Sequence, residues 1–271
     1  MKNIFNQLNS KIQTGFLVLM LAAISGCGGG GSGVPPVPVV ASTNTFKFQI
    51  AWQKYVSNQY SKSMNVSGSC SGTLNYFHTA ISEPKSFYYS DLSFPHPPGN
   101  VNPGYYRISN EEVISNLPGC VTSTAKTSTT LYYDAATFAP WGFFGGTAYN
   151  GETSYKGYFR EFGPGVVLPT TVKVGDFGSV GTVYTYNMAN FKKSGSPVGK
   201  TDVTYTIEAD TGLWGQDQTA IVNIISKVYD SNNKLTLVDQ TKYVIDSGDN
   251  LSLHMIDQQY SDALTLHLIA Q

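Results

Sequence analysis

Charge is scarce in this chain and nearly balanced between the two signs. Of 271 residues, 17 are Lys or Arg and 18 are Asp or Glu, so charged residues make up 13% of the sequence. A protein that binds nucleic acid presents a basic face, and this composition offers no basic excess from which to build one. The composition therefore argues against a nucleic-acid partner.

The N-terminus lacks acidic residues and also lacks an apolar run long enough to cross a membrane. The first acidic residue is Glu83, whereas Lys2 and Lys11 give a positive start. The apolar run covers only residues 16–24, and a membrane-spanning helix needs about 20 residues. This combination is typical of a secretory signal peptide. We predict that residues 1–26 are a signal peptide that is removed.

The end of this segment predicts a lipid anchor. Residues 24–27 read ISGC, which resembles the lipobox of bacterial lipoproteins. In a lipobox, an apolar residue and two small residues precede a cysteine that receives the lipid and becomes the new N-terminus. An ordinary secreted protein whose signal ends near a cysteine is the alternative. The features of a lipobox signal occur in the expected order: a positively charged start, an apolar run, two small residues and a cysteine. This order favours lipidation of Cys27.

The residues after Cys27 are typical of a tether. Residues 28–33 read GGGGSG and residues 34–40 read VPPVPVV. The first piece is a flexible coil and the second favours stiff polyproline II. We interpret residues 27–43 as a spacer between the lipid and a folded body. By analogy with other lipoproteins, Gly28 is consistent with the bacterial outer membrane, on its periplasmic or its surface face.

Only three cysteines are present, and two of them remain for the folded body. In an oxidising compartment Cys70 and Cys120 are expected to form a disulfide. A bridge that closes a loop of this length contributes roughly 4 kcal/mol in the chain-entropy model. The alternative is a reactive thiol, since residues 68–72 read GSCSG, the shape of a nucleophile elbow. An elbow requires a helix downstream, whereas residues 73–77 read TLNYF and predict a strand.

The remaining residues, 44–271, predict one β-rich domain. Tyr alone occurs 18 times, and abundant Tyr, Thr, Val and Ile favour strands. Short turns rich in Asp, Asn, Gly and Ser separate the later strands, so that neighbours must be antiparallel. We predict an all-β fold with minor α content: a large antiparallel meander sheet, as an open curved half-barrel or a sandwich. The predicted strands are 121–134, 154–162, 181–191, 202–209, 219–229, 234–246, 251–260 and 263–270.

Two segments give a less regular pattern. Residues 46–58 fit both a strand and a helix, and we predict a strand start that runs into a short helix. Residues 82–118 contain strong turn signals and predict an irregular excursion, with room for a helical turn at 110–117. The many aromatic residues of the excursion argue against disorder.

The last two hairpins can be placed in register. If Asp246 faces Leu251 and Tyr260 faces Ala263, two faces result. The predicted core face holds Val244, Leu251, Leu253, Met255, Leu264, Leu266 and Leu268. The second face is mixed and indicates either solvent or a lined cavity. It holds Tyr243, Ile245, Ser252, His254, Ile256, Thr265 and His267.

The sequence offers little for catalysis or metal binding. His254 and His267 fall on one predicted face, but zinc needs three or four ligands and no third is evident, since Asp246 and Asp257 point to the other face. None of the four histidines lies in a hydrolase motif with a serine and an acid. We therefore predict no metal, no cofactor and no enzymatic activity.

Residues 138–146, FAPWGFFGG, form the most unusual segment. Its mixture of aromatic residues and glycine suits a loop that presents rings to a ligand, a partner or a lipid. Large aromatic residues are more often packing residues, so a bent strand or turn whose rings cap the core is favoured. If a binding site exists, its first candidates are Trp141, Phe143 and Phe144.

The second half of the chain resembles a family of uncharacterised β-rich lipoproteins of Gram-negative bacteria. The resemblance implies a lipid-anchored β-sheet protein and no assigned activity or catalytic residue. A weaker similarity, over one strand, links residues 168–176 to periplasmic lipoprotein carriers with a half-barrel sheet. The family resemblance rests on residues 132–134 (YYD), 168–176 (LPTTVKVGD), 185–186 (TY), 203–210 (VTYTIEAD) and 243–248 (YVIDSG).

Together these features predict a non-catalytic lipoprotein of the cell envelope that acts by binding. In the leading hypothesis a curved sheet shelters a small apolar ligand such as a lipid. In the alternative the tethered body is displayed outside the cell for adhesion to a macromolecule, or is a structural envelope component. Resistance of the protein to protease added to intact cells would exclude a displayed adhesin.

Overall fold

The computed structural model describes residues 44–86, 105–118, 125–149, 156–189, 192–210 and 218–271. The predicted signal peptide, Cys27 and the predicted tether lie outside these ranges. Within them the chain forms fifteen strands and one helix, α1 (Phe48–Ser57). None of the described residues form a helix with the length and apolar character required to cross a membrane.

The predicted all-β fold with an antiparallel meander is confirmed. Strands β5 to β8 and β10 to β15 follow one another around a single sheet, each antiparallel to its neighbour, with β4 as an extra strand on β5. Strands β1 and β9 form a separate pair. The strands are β1 Thr45–Phe46, β2 Tyr60–Gly68, β3 Gly72–His78, β4 Lys85–Ser86, β5 Tyr105–Asn116, β6 Ala125–Asp134, β7 Pro140–Tyr149, β8 Lys156–Phe162, β9 Val172–Lys173, β10 Phe177–Ala189, β11 Lys192–Ala209, β12 Thr219–Asp230, β13 Leu235–Asp246, β14 Leu251–Tyr260 and β15 Thr265–Ala270.

The sheet is a closed barrel, so the prediction of an open half-barrel or a sandwich was wrong. The early hairpin β2–β3 lies between the two ends of the meander: β2 pairs with β15, and β3 pairs with β5. Twelve strands thereby close on themselves, with β4 outside the ring. Both closing contacts join segments far apart in sequence, and turn signals and residue alternation report only on neighbours.

Two glycines permit the close approach of strands at these seams. A side chain on Gly68 would lie 2.6 Å from the carbonyl oxygen of Thr265 in β15, and Gly68 has a φ of +105°. A side chain on Gly72 would overlap the carbonyl oxygen of Asn116 in β5, at a φ of +151°. Only glycine adopts such backbone angles without strain. At each seam the two strands can therefore approach closely because a glycine, which has no side chain, stands at the contact.

Helix α1 lies across one end of the barrel. It buries Phe48, Ala51, Trp52 and Val56, which recur at helical spacing on one face. The helix contacts turns between strands at that rim. For example, the indole N–H of Trp52 donates to the carbonyl oxygen of Phe138 at 3.1 Å. The preceding strand β1 pairs with β9. The predicted strand that runs into a short helix is confirmed.

Apolar side chains fill the space beneath α1. Strand β12 illustrates the alternation, since Val222 and Ile224 point inward and pair across to Tyr243 and Thr241 of β13. These inward residues belong to one main core cluster that also includes the buried face of α1. The interior at this end is therefore a packed core.

The predicted irregular excursion at 82–118 was wrong for residues 105–116, which form the long strand β5. The predicted helical turn at 110–117 falls on the same strand. Inward positions of β5 carry polar residues, including Ser109, Glu111 and Ser115, all of them buried. Because the inward face is polar, no apolar alternation marks the strand. Residues 87–104 lie outside the described ranges.

The predicted register of the last two hairpins was wrong by one residue. Ile245 pairs with Leu251, and Asp257 pairs with His267. The one-residue shift brings Tyr243 and Ile245 onto the inner face with the predicted core residues. A bulge at His254 then shifts the alternation along β14, since Lys242 pairs with Met255 and Tyr243 pairs with Leu253. The core members that were predicted correctly are Leu251, Leu253, Leu266 and Leu268.

Candidate functional site

A pocket opens in the barrel wall between β2 and β14. Strand β15 separates these strands only as far as the pairs Ala270–Met64 and Ile269–Met255. Beyond these pairs β2 and β14 continue with no strand of the described residues between them, and residues of helix α1 lie behind the gap. The resulting pocket has a volume of about 230 Å³.

The lining combines apolar and cationic groups. Aromatic and aliphatic side chains from α1, β2 and β14 provide the apolar surface, and two lysines stand beside it. Lys54 donates a hydrogen bond to the carbonyl of Gly248 at 2.7 Å. Lys62 has no hydrogen-bond or ion-pair partner among the described residues. The lining residues are Lys54, Tyr55, Asn58, Tyr60, Lys62, Asn250, Leu251, Ser252 and Leu253.

The tyrosines of the pocket lie in a cluster of stacked rings. The ring centroids of Tyr55 and Tyr60 are 4.8 Å apart, and the Tyr60 ring stacks on His78 at 4.9 Å. Tyr55 also meets Tyr243 edge to face at 5.4 Å. Burial among these rings, reinforced by neighbouring phenols and Glu111, raises the pKa of Tyr55 and of Tyr60 well above the usual value. Both phenols therefore remain neutral donors at physiological pH.

Behind the rings lies a buried hydrogen-bond network. Tyr76 donates to Glu111, whose Oε1 lies 3.3 Å from Nδ1 of His78. Nε2 of His78 lies 3.1 Å from the carbonyl oxygen of Val56 and must donate to it. Nδ1 therefore holds the carboxyl group of Glu111 while Nε2 holds the end of helix α1.

This network holds the helix in place and leaves no free base. A general base needs a ring nitrogen that can accept a proton from a nucleophile, and Nε2 of His78 is bound to Val56. The carbonyl of Val56 is one of those that a helix leaves unsatisfied at its end. The chemistry of His78 and Glu111 is therefore that of a helix cap within the barrel.

A second histidine–acid pair lies on the outer face of the barrel. His267 bonds Asp257 through Nδ1, and Ser67 is opposite His267 on the neighbouring strand. This row of acid, histidine and serine crosses three adjacent strands. However, the hydroxyl of Ser67 donates to the backbone carbonyl of His267, at 3.4 Å, and not to its ring. The row therefore lacks the serine–imidazole hydrogen bond of a hydrolase.

The three aromatic residues predicted as binding candidates do not form one site. Segment 140–149 is the strand β7, with a bulge next to Gly142 that turns successive rings to different faces. Trp141 and Phe144 pack on the outer face with Tyr132 and Tyr106. Phe143 points into the barrel, 5.6 Å from the guanidinium of Arg160. The segment is therefore a bent strand whose rings pack on two different faces of the sheet.

The two histidines considered for metal binding are also separated. His267 pairs with Asp257 on the outer face, so the prediction that Asp257 points away was wrong. His254 is half-buried, and its burial, with Lys242 and Lys62 nearby, lowers its pKa despite an opposing effect of Asp210. Within the described ranges no group of three or more His, Cys, Asp or Glu side chains is placed to hold a metal ion.

The predicted Cys70–Cys120 disulfide stays a prediction, because Cys120 lies outside the described residues. Cys70 is buried, with 4% of its surface exposed. The last pair between β3 and β5 joins Thr73 to Asn116. Cys70 precedes Thr73 by three positions in the sequence and therefore lies near this end of the seam.

Sequence reasoning missed the pocket between β2 and β14. Its lysines are isolated in the sequence, and Tyr55 lies in the segment that fits both helix and strand. The gap itself arises from the unequal lengths of β15 and its neighbours. A mixed predicted face around Ser252 and His254 was the one signal of a lined cavity in this region.

Comparisons with known protein families, with curated proteins and with solved structures found no match for this chain. The resemblance to uncharacterised lipoproteins therefore stays a prediction. The class of the protein rests on its fold: a closed, twelve-stranded antiparallel barrel with a helix across one end and a pocket in its wall.

Proposed function

We propose that this protein is a lipid-anchored, non-catalytic binding protein of the bacterial outer membrane that takes a small amphipathic anion into the pocket between β2 and β14. The observation that carries this proposal is that one pocket combines an apolar floor with the cation of Lys62, which has no partner among the described residues. Binding sites for small molecules characteristically combine a mostly apolar lining with a few placed polar groups.

The packed interior of the barrel argues against the predicted ligand site on the concave face of the sheet. A ligand held on the concave face of the sheet would need the space beneath α1. That space is filled by core side chains, among them Trp52, Val222 and Tyr243. The pocket in the wall is therefore the better candidate for an apolar ligand.

The size and charge of the pocket narrow the ligand class. Its volume of about 230 Å³ lies below the roughly 300–1,000 Å³ typical of small-molecule sites. A short-chain carboxylate fits these limits, as does the charged end of a longer lipid. Lys62 would face the anionic group, while Tyr55, Tyr60 and Leu253 would contact the apolar part.

A displacement experiment with a charge series tests this proposal. The fluorescent probe 1-anilinonaphthalene-8-sulfonate is bound to the mature protein and displaced with octanoate, octanol or octylamine. We expect octanoate to displace it best and octylamine worst, since these compounds share one chain length and differ in charge. Equal displacement by all three would contradict the assignment of an anionic ligand.

A matched pair of lysine variants locates the binding. In the variant Lys62→Met, octanoate affinity should fall about fivefold, which corresponds to about 1 kcal/mol for a partly exposed ion pair. The control Lys234→Met removes the same charge from an exposed turn between β12 and β13 and should leave affinity unchanged. An equal effect of both variants would place the ligand elsewhere.

A further inference from the structure

The pocket between β2 and β14 lies where the barrel wall is one strand short. Strand β15 lies between these two strands and pairs with both. Its last pair with β2 joins Ala270 to Met64. The N–H of Gln271 then donates to the carbonyl oxygen of Ser63 at 3.0 Å. Because β15 holds its neighbours two strand spacings apart, and one spacing is about 4.7–4.9 Å, the gap beyond Gln271 has the width of one extended chain.

On the β14 side of the gap, the backbone groups of Leu251 and Leu253 face the open space. The carbonyl oxygen of Asn250 accepts from the N–H of Asp246 at 3.1 Å and therefore points to β13. Backbone groups of successive residues in an antiparallel sheet point to opposite sides of the strand. Those of Leu251 and Leu253 therefore point away from β13. Since β15 pairs with β14 only from Met255 onward, no described strand takes up these groups.

On the β2 side, the backbone groups of Ser61 face the gap. Ser63 accepts its hydrogen bond from Gln271 and so faces β15, and Ser61 lies two residues earlier on the same side of the strand. The two edges together offer the N–H and C=O groups of three residues. An unpaired strand edge is a template for pairing with another chain, and an extended peptide supplies matching donors and acceptors along its whole length. The gap therefore has the shape and the hydrogen-bonding pattern of a missing strand.

The side chains beside the gap indicate what an inserted strand would carry. Residues directly opposite each other on adjacent strands point to the same face of the sheet. An inserted residue opposite Lys62 would therefore turn into the pocket, between Lys62 and Leu253. Two residues further along, the next inward position lies between Tyr60 and Leu251. The first position suits an acidic side chain, because Lys62 has no partner among the described residues, and the second suits an apolar one.

We propose that the amphipathic anion of this pocket is an extended peptide, which adds one strand between β2 and β14 and places an acidic side chain against Lys62. The strand runs antiparallel to both neighbours, as β15 does, with an apolar residue two positions after the acidic one. This inference rests on the proposed function, because it names the carrier of the anionic group in the same pocket. A fatty acid would also meet Lys62, but it would leave the backbone groups of both strand edges unpaired.

A blocked peptide tests the inserted strand. The probe is acetyl-Glu-Thr-Val-Thr-amide, which begins at the acidic residue because Gln271 occupies the preceding position. Its control carries an N-methyl group on the first Thr, which removes one backbone donor and leaves every side chain unchanged. Isothermal titration calorimetry with the mature protein should show one probe per chain, displaced by octanoate, and binding about tenfold weaker for the control. Equal affinities, or no binding of the probe at millimolar concentration, would overturn the proposal.

A double-mutant cycle tests the position of the acidic side chain. A probe with Gln in place of Glu should bind the wild-type protein about fivefold more weakly. In Lys62→Met the two probes should bind with equal affinity, whereas Lys234→Met should preserve the difference. A fivefold difference that persists in Lys62→Met would overturn the pairing with Lys62. Octanoate binding without probe binding would refute the inserted strand alone and favour a lipid, whereas binding of neither would refute the proposed function as well.

Discussion

Nε2 of His78 lies 3.1 Å from the carbonyl oxygen of Val56, so a strand of the barrel wall caps the last turn of the helix that crosses the barrel's end. Glu111, on the adjacent strand β5, holds the other nitrogen of the ring. Strands β3 and β5 form one of the two seams that close the barrel. His78 and Glu111 therefore connect the helix α1 to the seam that closes the barrel. They also lie behind the tyrosines of the wall pocket.

Removing this contact should destabilise the protein strongly. In His78→Leu, Glu111 and the Val56 carbonyl lose a buried partner, and breaking a buried pair costs about 3–5 kcal/mol. The control His267→Leu breaks the pair with Asp257 on the surface, where the side chains are 40% and 34% exposed, at a cost of about 0–1 kcal/mol. Denaturant unfolding measures both. Equal losses would show that the buried network does not anchor the helix.

A side chain at the seam should prevent normal closure. Gly72→Ala combines an unfavourable positive φ with overlap against β5, and we expect a loss of about 3 kcal/mol or more. Gly165→Ala is the matched control, since Gly165 has a φ of +87° but nothing within 4 Å of an added side chain. It should cost about 1–2 kcal/mol from strain alone. If thermal unfolding gives the same loss for both, close approach at the seam is not what requires Gly72.

Asp239 should make stability depend on pH in an unusual direction. Its pKa is raised by burial, so the folded protein binds a proton that the unfolded chain releases above its ordinary pKa. Stability from this group is therefore present at low pH and is lost as the pH rises above about 4 towards the folded pKa. Asp239→Asn should remove this dependence and gain stability at neutral relative to acidic pH. Parallel stability curves for the two proteins between pH 4 and 7 would contradict this prediction.

The predicted lipid anchor can be tested by one substitution. Cys27→Ala removes the thiol that would accept the lipid, so we expect the variant to leave the membrane fraction. Immunoblots of membrane and soluble fractions measure the shift. Retention of the variant in the membrane fraction would show that Cys27 is not the anchor.

The predicted disulfide requires that both cysteines of the folded body lack a free thiol. Thiol titration of the mature protein under denaturing, non-reducing conditions should therefore detect neither Cys70 nor Cys120. After reduction, both should react. Two reactive thiols per chain before reduction would rule out the bridge.

The sequence predicted the local features of the fold well. Strand pairing between neighbours follows from turns such as 230–233 and from alternation along strands such as β12, and most later strands begin and end near their predicted limits. A short helix within residues 46–58 was also predicted, although the pattern there fitted a strand as well. These features depend on interactions between residues close in sequence.

The closure of the barrel and the candidate sites could not be predicted from residues close in sequence. The seam between β3 and β5 depends on Gly72 meeting Asn116, and no local pattern reports that contact. Strand β5 carries the polar residue Glu111 on its inner face, where the usual alternation would place an apolar residue. A bulge beside Gly142 turned Trp141 away from Phe143 and divided a candidate site that looked continuous in the sequence. Each failure involves a long-range contact or an inward polar group.

The central claim, a small amphipathic anion in the wall pocket, is tested most directly by native mass spectrometry of the mature protein with octanoate. We predict one bound octanoate per chain, lost on denaturation, with an affinity that is about fivefold lower in Lys62→Met and unchanged in Lys234→Met. A wild-type protein that stays at its ligand-free mass at saturating octanoate would contradict the account. It would favour a displayed or structural role for the barrel.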